Sequence, residues 1–261
     1  MKILVFIKQV PEADGIRLDP KTGTLNRDHV PGIMNPYDAY AVEAALQLKE
    51  HHGGSVHVIT MGPPQAAAVL KEALAMGCDE AHLLSDRAFA GADSLATGYT
   101  LAKAAEAIGG YDLLLFGKCA VDAETAQTGP ITAEWLGLPH VTLADRISCE
   151  DGWAVCRRDL GTQFQTVKVK LPALVAVTGQ INTPRYLRPE RVRRVNTFPL
   201  TVRSAADLGC DPSRIGASGS PSRTRKVFAP EKSPLNTRYL TGTPEQIACA
   251  MADALEAEHI L

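Results

Sequence analysis

Along residues 1–140 of this 261-residue chain, short apolar runs alternate with segments whose apolar positions recur at helical spacing. Residues 3–7 (Ile-Leu-Val-Phe-Ile) are apolar without a break, as a strand buried on both faces requires. Asn35-Pro36 then predicts an N-cap with a first-turn proline, and the helix runs to a stop at Gly53-Gly54. The pattern predicts a strand over residues 56–61, a helix over 65–76 and a short strand over 81–84. Asp93 caps the next predicted helix, which ends at Gly109-Gly110; a strand over 111–116 and a helix over 125–136 follow. Strand–helix alternation of this kind argues for a doubly wound α/β domain with helices on both faces of a parallel sheet.

After Pro139 the rhythm changes. Residues 140–143, 153–157, 164–169 and 173–177 read as short strands with no room for crossover helices, hence an antiparallel extension or an added sheet edge. From about Pro184 proline, arginine and serine rise and periodicity fades, which reads as an extended arm. The arm ends in a helix announced by Thr243-Pro244-Glu245-Gln246, a capping box with a first-turn proline. Ile247, Ala250, Met251, Ala254 and Leu255 line one face of it. The expected organisation is therefore an α/β domain with antiparallel extension over residues 1–183 and an arm with terminal helix over 184–261.

Composition narrows the function classes. A net charge of −2 offers no general attraction to nucleic acid or acidic membranes, and no apolar run approaches the length of a membrane span. The first apolar run is too short for a signal-peptide core and reads as a strand. Six cysteines without a C-x-x-C pair read as reduced thiols of a cytoplasmic protein, and the seven histidines show no ligand spacing, so no metal site is expected. Five arginines between Arg185 and Arg194 raise nucleic acid as a partner, but Tyr186 is the lone aromatic among them, and an acidic protein partner is the better reading.

In an open parallel sheet, ligands sit outside the carboxyl ends of the strands. The most informative such segment is residues 117–129. Gly117 lets the backbone approach a ligand, Lys118 supplies a cation, and Thr125 and Thr128 sit where helix N–H groups favour phosphate. Neither G-x-x-x-x-G-K-[ST], G-x-G-x-x-G nor G-x-S-x-G is present, and no paired acid–base constellation is seen. A binding or electron-carrying role fits better than hydrolysis or group transfer, and no catalytic residue is expected.

The ordered blocks carry more than any one motif. Lys8-Gln9-Val10-Pro11, Asn35-Pro36-Tyr37-Asp38, Met61-Gly62-Pro63, Gly91-Ala92-Asp93, Gly117-Lys118 with Asp122, Thr125-Ala126-Gln127-Thr128-Gly129-Pro130, Leu171-Pro172-Ala173 and Pro184-Arg185-Tyr186 follow one another over about residues 1–186. In this order they resemble the beta subunits of electron-transfer flavoproteins. The resemblance implies an adenine-nucleotide-binding, flavodoxin-like layout and a partner alpha subunit that carries a redox-active FAD. It also implies a dehydrogenase or quinone-reductase redox partner, or NADH, and an adenine nucleotide held by this chain. By position its contacts are Phe6, Ile7, Asn35, Asp38, Met61, Gly117, Asp122, Thr125, Ala126, Gln127 and Thr128. AMP and a second FAD are the two candidates; the tail after Asp207 is similar to the longer tails of electron-bifurcating members and points to FAD. NADH oxidation by this chain follows only if it holds FAD. Arg158 stands where many members have a partner-contacting glutamate. The competing reading is a stand-alone ATP- or AMP-binding protein with a structural or regulatory role.

Overall fold

The continuous apolar runs become the centre of the sheet. In the computed structural model, which describes residues 1–12, 17–18, 25–26, 32–222 and 237–260, nine strands form one sheet. In chain order the strands are β1 (Lys2–Phe6), β2 (Gln9–Pro11), β3 (Arg17–Leu18), β4 (Leu25–Asn26), β5 (Gly32–Met34), β6 (Ser55–Met61), β7 (Glu80–Leu84), β8 (Leu113–Gly117), β9 (His140–Glu150), β10 (Trp153–Asp159), β11 (Phe164–Lys170), β12 (Ala173–Val177) and β13 (Leu200–Arg203). The helices are α1 (Pro36–His52), α2 (Ala67–Met76), α3 (Ser94–Ile108), α4 (Thr128–Leu136), α5 (Pro189–Arg194) and α6 (Pro244–Ala257). The large sheet runs β11-β10-β9-β12-β8-β1-β6-β7-β13; β2 pairs with β5, and β3 with β4, as separate antiparallel ribbons.

Alternation along each central strand divides the core in two. Ile3 and Val5 of β1 pack with α1 and α2 residues such as Val42 and Leu70, whereas Leu4 and Phe6 pack with Tyr99, Leu101 and Ala133 of α3 and α4. The sheet is thus covered on both faces, as the doubly wound reading requires. Among the five central parallel strands the spatial order is β7-β6-β1-β8-β12, so the chain reverses its direction of travel between β1 and β8. That is the 3-2-1-4-5 succession of dinucleotide-binding sheets, and differs in detail from the flavodoxin order 2-1-3-4-5.

Four expectations need correction. The helix expected from Thr125 begins at Thr128, because Glu124 and Ala126 adopt left-handed backbone (φ 49° and 54°) that a helix cannot contain. The strand over 173–177 is no antiparallel addition. β12 is buried at every residue and lies parallel between β8 and β9, leaving only β9, β10 and β11 as the antiparallel blade. Part of the stretch after Pro184 packs on the sheet: β13 adds a parallel edge to β7, and Leu208 and Ile215 are buried in the core with residues of α3 and α4. The compact units are accordingly Met1–Val227 and Phe228–Leu261, not 1–183 and 184–261. Finally, the strands bring His57, Glu80 and His82 together despite their lack of ligand spacing in sequence.

In the second unit, α6 has the expected capping box: Thr243 Oγ1 accepts from the Gln246 amide and Gln246 Oε1 accepts from the Thr243 amide. Among the described residues no helix is long and apolar enough to cross a membrane.

Candidate functional site

The reversal between β1 and β8 opens a crevice at their carboxyl ends. Each strand contributes a phenylalanine just beneath it: Phe6 and Phe116 stack with centroids 4.5 Å apart and planes at 13°. Both rings are buried, as is Ile7, whose amide donates to Ile59 O at 2.9 Å. Phe6 and Ile7 therefore floor the crevice with backbone and direct their side chains into the core. Met61 ends the neighbouring β6, half-buried against the same core layer.

The start of α1 forms the wall. Asn35 is fully buried, with Nδ2 donating to Cys119 O (2.9 Å) and Oδ1 accepting from the Val121 amide (3.1 Å). Both ends of its amide hold the loop after β8, which explains why it caps α1 by position without a side-chain cap bond. Asp38, one turn into the helix, accepts from the Lys8 amide at 2.7 Å. Burial drives the Asp38 carboxyl up to about 7, against the opposing pull of hydrogen bonds from Asn35, Lys8 and Gly117. Gly117 has to be glycine here, because a Cβ would run into Asp38 Oδ1 and the Tyr37 backbone.

Lys8 crosses the mouth of the crevice and forms a two-pronged ion pair with Asp122, 2.7 Å to each oxygen. Thr125, Ala126 and Gln127 follow in the exposed loop, where Thr125 Oγ1 accepts from Ser94 Oγ at 3.2 Å. The Asp93 carboxylate fills the start of α3, accepting from the Leu95 and Ala96 amides. The start of α4 is different. Gln127 occupies the cap position with no side-chain cap bond, so among the described residues the amides of Thr128 and Gly129 retain their donors at the positive end of the helix. An open cleft of about 590 Å³ adjoins the crevice, lined by Tyr37, Tyr40, Lys118, Val121, Leu143 and Thr178 among others. Lys118 Nζ stands 5.4 Å over the Tyr37 ring.

The eleven residues singled out in the sequence thus gather around one crevice, in three roles: floor, wall and loop. Lys8 and Ser94 complete it; Lys8 belongs to the Lys8-Gln9-Val10-Pro11 segment, but nothing local in the sequence shows that it meets Asp122. The cleft as a whole had no signal in the sequence, since its lining comes from α1, β9, the end of β10 with the turn after it, and the segments after β8 and β12.

Residues 22–203 match the Electron transfer flavoprotein domain family. The chain belongs to the electron transfer flavoprotein family, as a beta-subunit relative. It is 40% identical to the "Caffeyl-CoA reductase-Etf complex subunit CarD" of Acetobacterium woodii over 262 aligned positions, covering all of both chains. It is 39% identical to an electron transfer flavoprotein subunit beta of Thermoanaerobacterium thermosaccharolyticum, again across both full lengths. It is 43% identical to the protein FixA of Azorhizobium caulinodans over 88% of this chain and 85% of the relative. An electron-transfer role follows for this beta subunit.

Arg158 and the arginine-rich stretch both have structural explanations. Arg158 turns back onto its own sheet, donating to Thr142 O and Gln165 Oε1 (2.8 Å each), while neighbouring Arg157 pairs with buried Asp145. Of the arginines between 185 and 194, Arg185 is engaged by Glu43 and Glu50, and Arg191 Nη1 donates to Leu74 O. The arginine-rich stretch is therefore partly a packing device.

Proposed function

We propose that this beta subunit holds FAD in the crevice between β1 and β8 and passes electrons within a heterodimer whose alpha subunit carries a further FAD. The observation that carries the reading is the open start of α4. Its uncapped amides face a loop of two left-handed residues at the reversal point of the sheet, which is the donor set a pyrophosphate needs. The adjoining cleft of about 590 Å³ favours FAD over AMP, since it offers room beside aromatic walls for a group larger than an adenosine. Full-length similarity to a subunit named for a reductase–Etf complex supports work within a multi-subunit electron-transfer complex.

In this reading Thr128, Gly129 and Thr125 hold phosphate oxygens, and Asn35 keeps the loop at its distance from α1. Gly117 keeps α1 close to β8, and Asp38, neutral below about pH 7, adds no charge against the phosphates. The bound flavin supplies the redox chemistry; the chain supplies position and electrostatics, and no residue of it is assigned a proton-transfer role. NADH, or a dehydrogenase or quinone reductase, is the exchange partner, and the heterodimer works in the cytoplasm. Docking on the alpha subunit uses the β9–β11 blade, whose outer strand exposes Phe164.

Denaturing extraction of nucleotides from the co-purified heterodimer tests this directly. Two FAD per heterodimer without AMP is the expected result. One FAD with one AMP would make it a one-flavin shuttle, and no nucleotide on this subunit would refute the crevice assignment.

A further inference from the structure

β6 and β7 run parallel with His57 opposite Glu80 and Ile59 opposite His82. Because side chains alternate across a strand, Glu80 and His82 leave the same face of β7. His57 leaves β6 on that face as well: Val56, Val58, Ala81 and Leu83 all belong to the core layer on the other side. Three metal-binding side chains therefore converge towards the amino end of the sheet, opposite the crevice.

Their donor atoms form a compact triangle. His57 Nδ1 lies 3.2 Å from Glu80 Oε2, and His82 Nε2 lies 3.6 Å from that oxygen and 3.5 Å from His57 Nδ1. A tetrahedral ion bound at 2.0–2.1 Å has ligand-to-ligand edges of about 3.4 Å. The triangle already has that size, so an ion would enter with little movement. His57 Nε2 lies 3.1 Å from Ser55 Oγ, an outer partner that fixes the ring with Nδ1 towards the centre. Hydrogen bonding alone serves the group poorly. The nitrogen–nitrogen contact of 3.5 Å is at the limit for a hydrogen bond, and His82 Nδ1 is buried without a partner among the described residues. Glu80 is more than half exposed and leaves the fourth position open to water.

We infer that His57, Glu80 and His82 form a binding site for a divalent transition-metal ion of the zinc class, clamping β6 to β7. Two imidazoles and one carboxylate select such an ion over magnesium or calcium, which need a shell of oxygens. The site lies apart from the nucleotide crevice and does not depend on it.

The test titrates the metal-free full-length chain with Co²⁺ and then Zn²⁺. One Co²⁺ should bind with the visible spectrum of a four-coordinate nitrogen–oxygen site, and Zn²⁺ should displace it and raise the melting temperature. Glu80→Gln, a substitution at an exposed side chain, should weaken binding by at least about tenfold, by analogy with losses seen even for outer-shell partners. His82→Asn should abolish binding, and the paired substitution His51→Ala with His52→Ala should leave it intact. If His82→Asn fails to fold, Glu80→Gln decides. Absence of stoichiometric binding, binding unchanged by Glu80→Gln, or a thiolate-to-cobalt charge-transfer band from the cysteines would overturn the site.

Discussion

β11 and β12 are separated by Leu171 and Pro172 alone, yet they live in different environments. β12, Ala-Leu-Val-Ala-Val, is buried at every position between two parallel neighbours. β11, Phe-Gln-Thr-Val-Lys-Val-Lys, is the outer strand of the antiparallel blade, with Val167 and Val169 half-buried and the other five residues exposed. The difference shows how one sheet serves two purposes. Its parallel part, covered on both faces, gathers loops at the carboxyl ends and builds a crevice. Its antiparallel part can face outward on one side and remain available to a partner chain.

The two parts also treat a buried aspartate differently. Asp38, beside the crevice, is pushed up to about 7 by burial, and the nearby Lys8 ammonium is engaged by Asp122. Asp145, in the blade, is held below the usual carboxylate range chiefly by the hydrogen bonds of Arg157. The crevice keeps a carboxyl that is costly to charge, whereas the blade keeps one that is costly to neutralise.

The largest effect that sharpens this comparison is in the core. Leu174→Ala in β12 should cost roughly 2–5 kcal/mol in urea unfolding, while Thr166→Ala on exposed β11 should stay within about 0.5 kcal/mol. Equal losses would erase the distinction. Gly117→Ala comes next, at about 1–3 kcal/mol, since the new Cβ collides with Asp38 and Tyr37. It should also lower the nucleotide content of the purified heterodimer.

A pH series separates the two aspartates. The Asp38 carboxyl has a raised folded-state value, so its stabilising contribution is complete below the ordinary 3.8 and is lost as pH rises towards about 7. Stability of Asp38→Asn relative to wild type should therefore rise across that window, with a slope approaching about 1.4 kcal/mol per pH unit. For Asp145 the sign is opposite. Its contribution is present above the ordinary carboxylate value and is lost as pH falls through its depressed folded value, so Asp145→Asn should differ most from wild type near neutrality. Unfolding curves at pH 4, 5.5, 7 and 8 would check both; parallel curves for all three proteins would contradict the assignment. The smallest effect is at Lys8–Asp122, a partly exposed ion pair whose double-mutant coupling should be about 0–1 kcal/mol and should shrink in salt.

Much of the secondary structure could be read from local patterns. The N-caps at Asp93 and Thr243, the helix stop before Gly53 and the buried run of β1 all follow from backbone preferences within one turn or one strand. The metal-binding triangle could not be read in that way, because His57 is separated in sequence from Glu80 and His82, and only β6–β7 register joins them. Even so, Glu80-Ala81-His82 places two ligands on one face of a strand, a signal that a search for helical or C-x-x-C spacings passes over.

Residue order by itself determined the alternation of strand and helix, the crevice loop after β8 and the blocks that mark the family, since these depend on interactions close along the chain. Tertiary structure alone decided that β12 inserts between β8 and β9, that β13 extends the edge at β7, and that Lys8 meets Asp122. An apolar pentapeptide such as β12 can be buried beside many partners with similar local energy. Its neighbour is chosen only when the whole sheet closes and both faces find their helices.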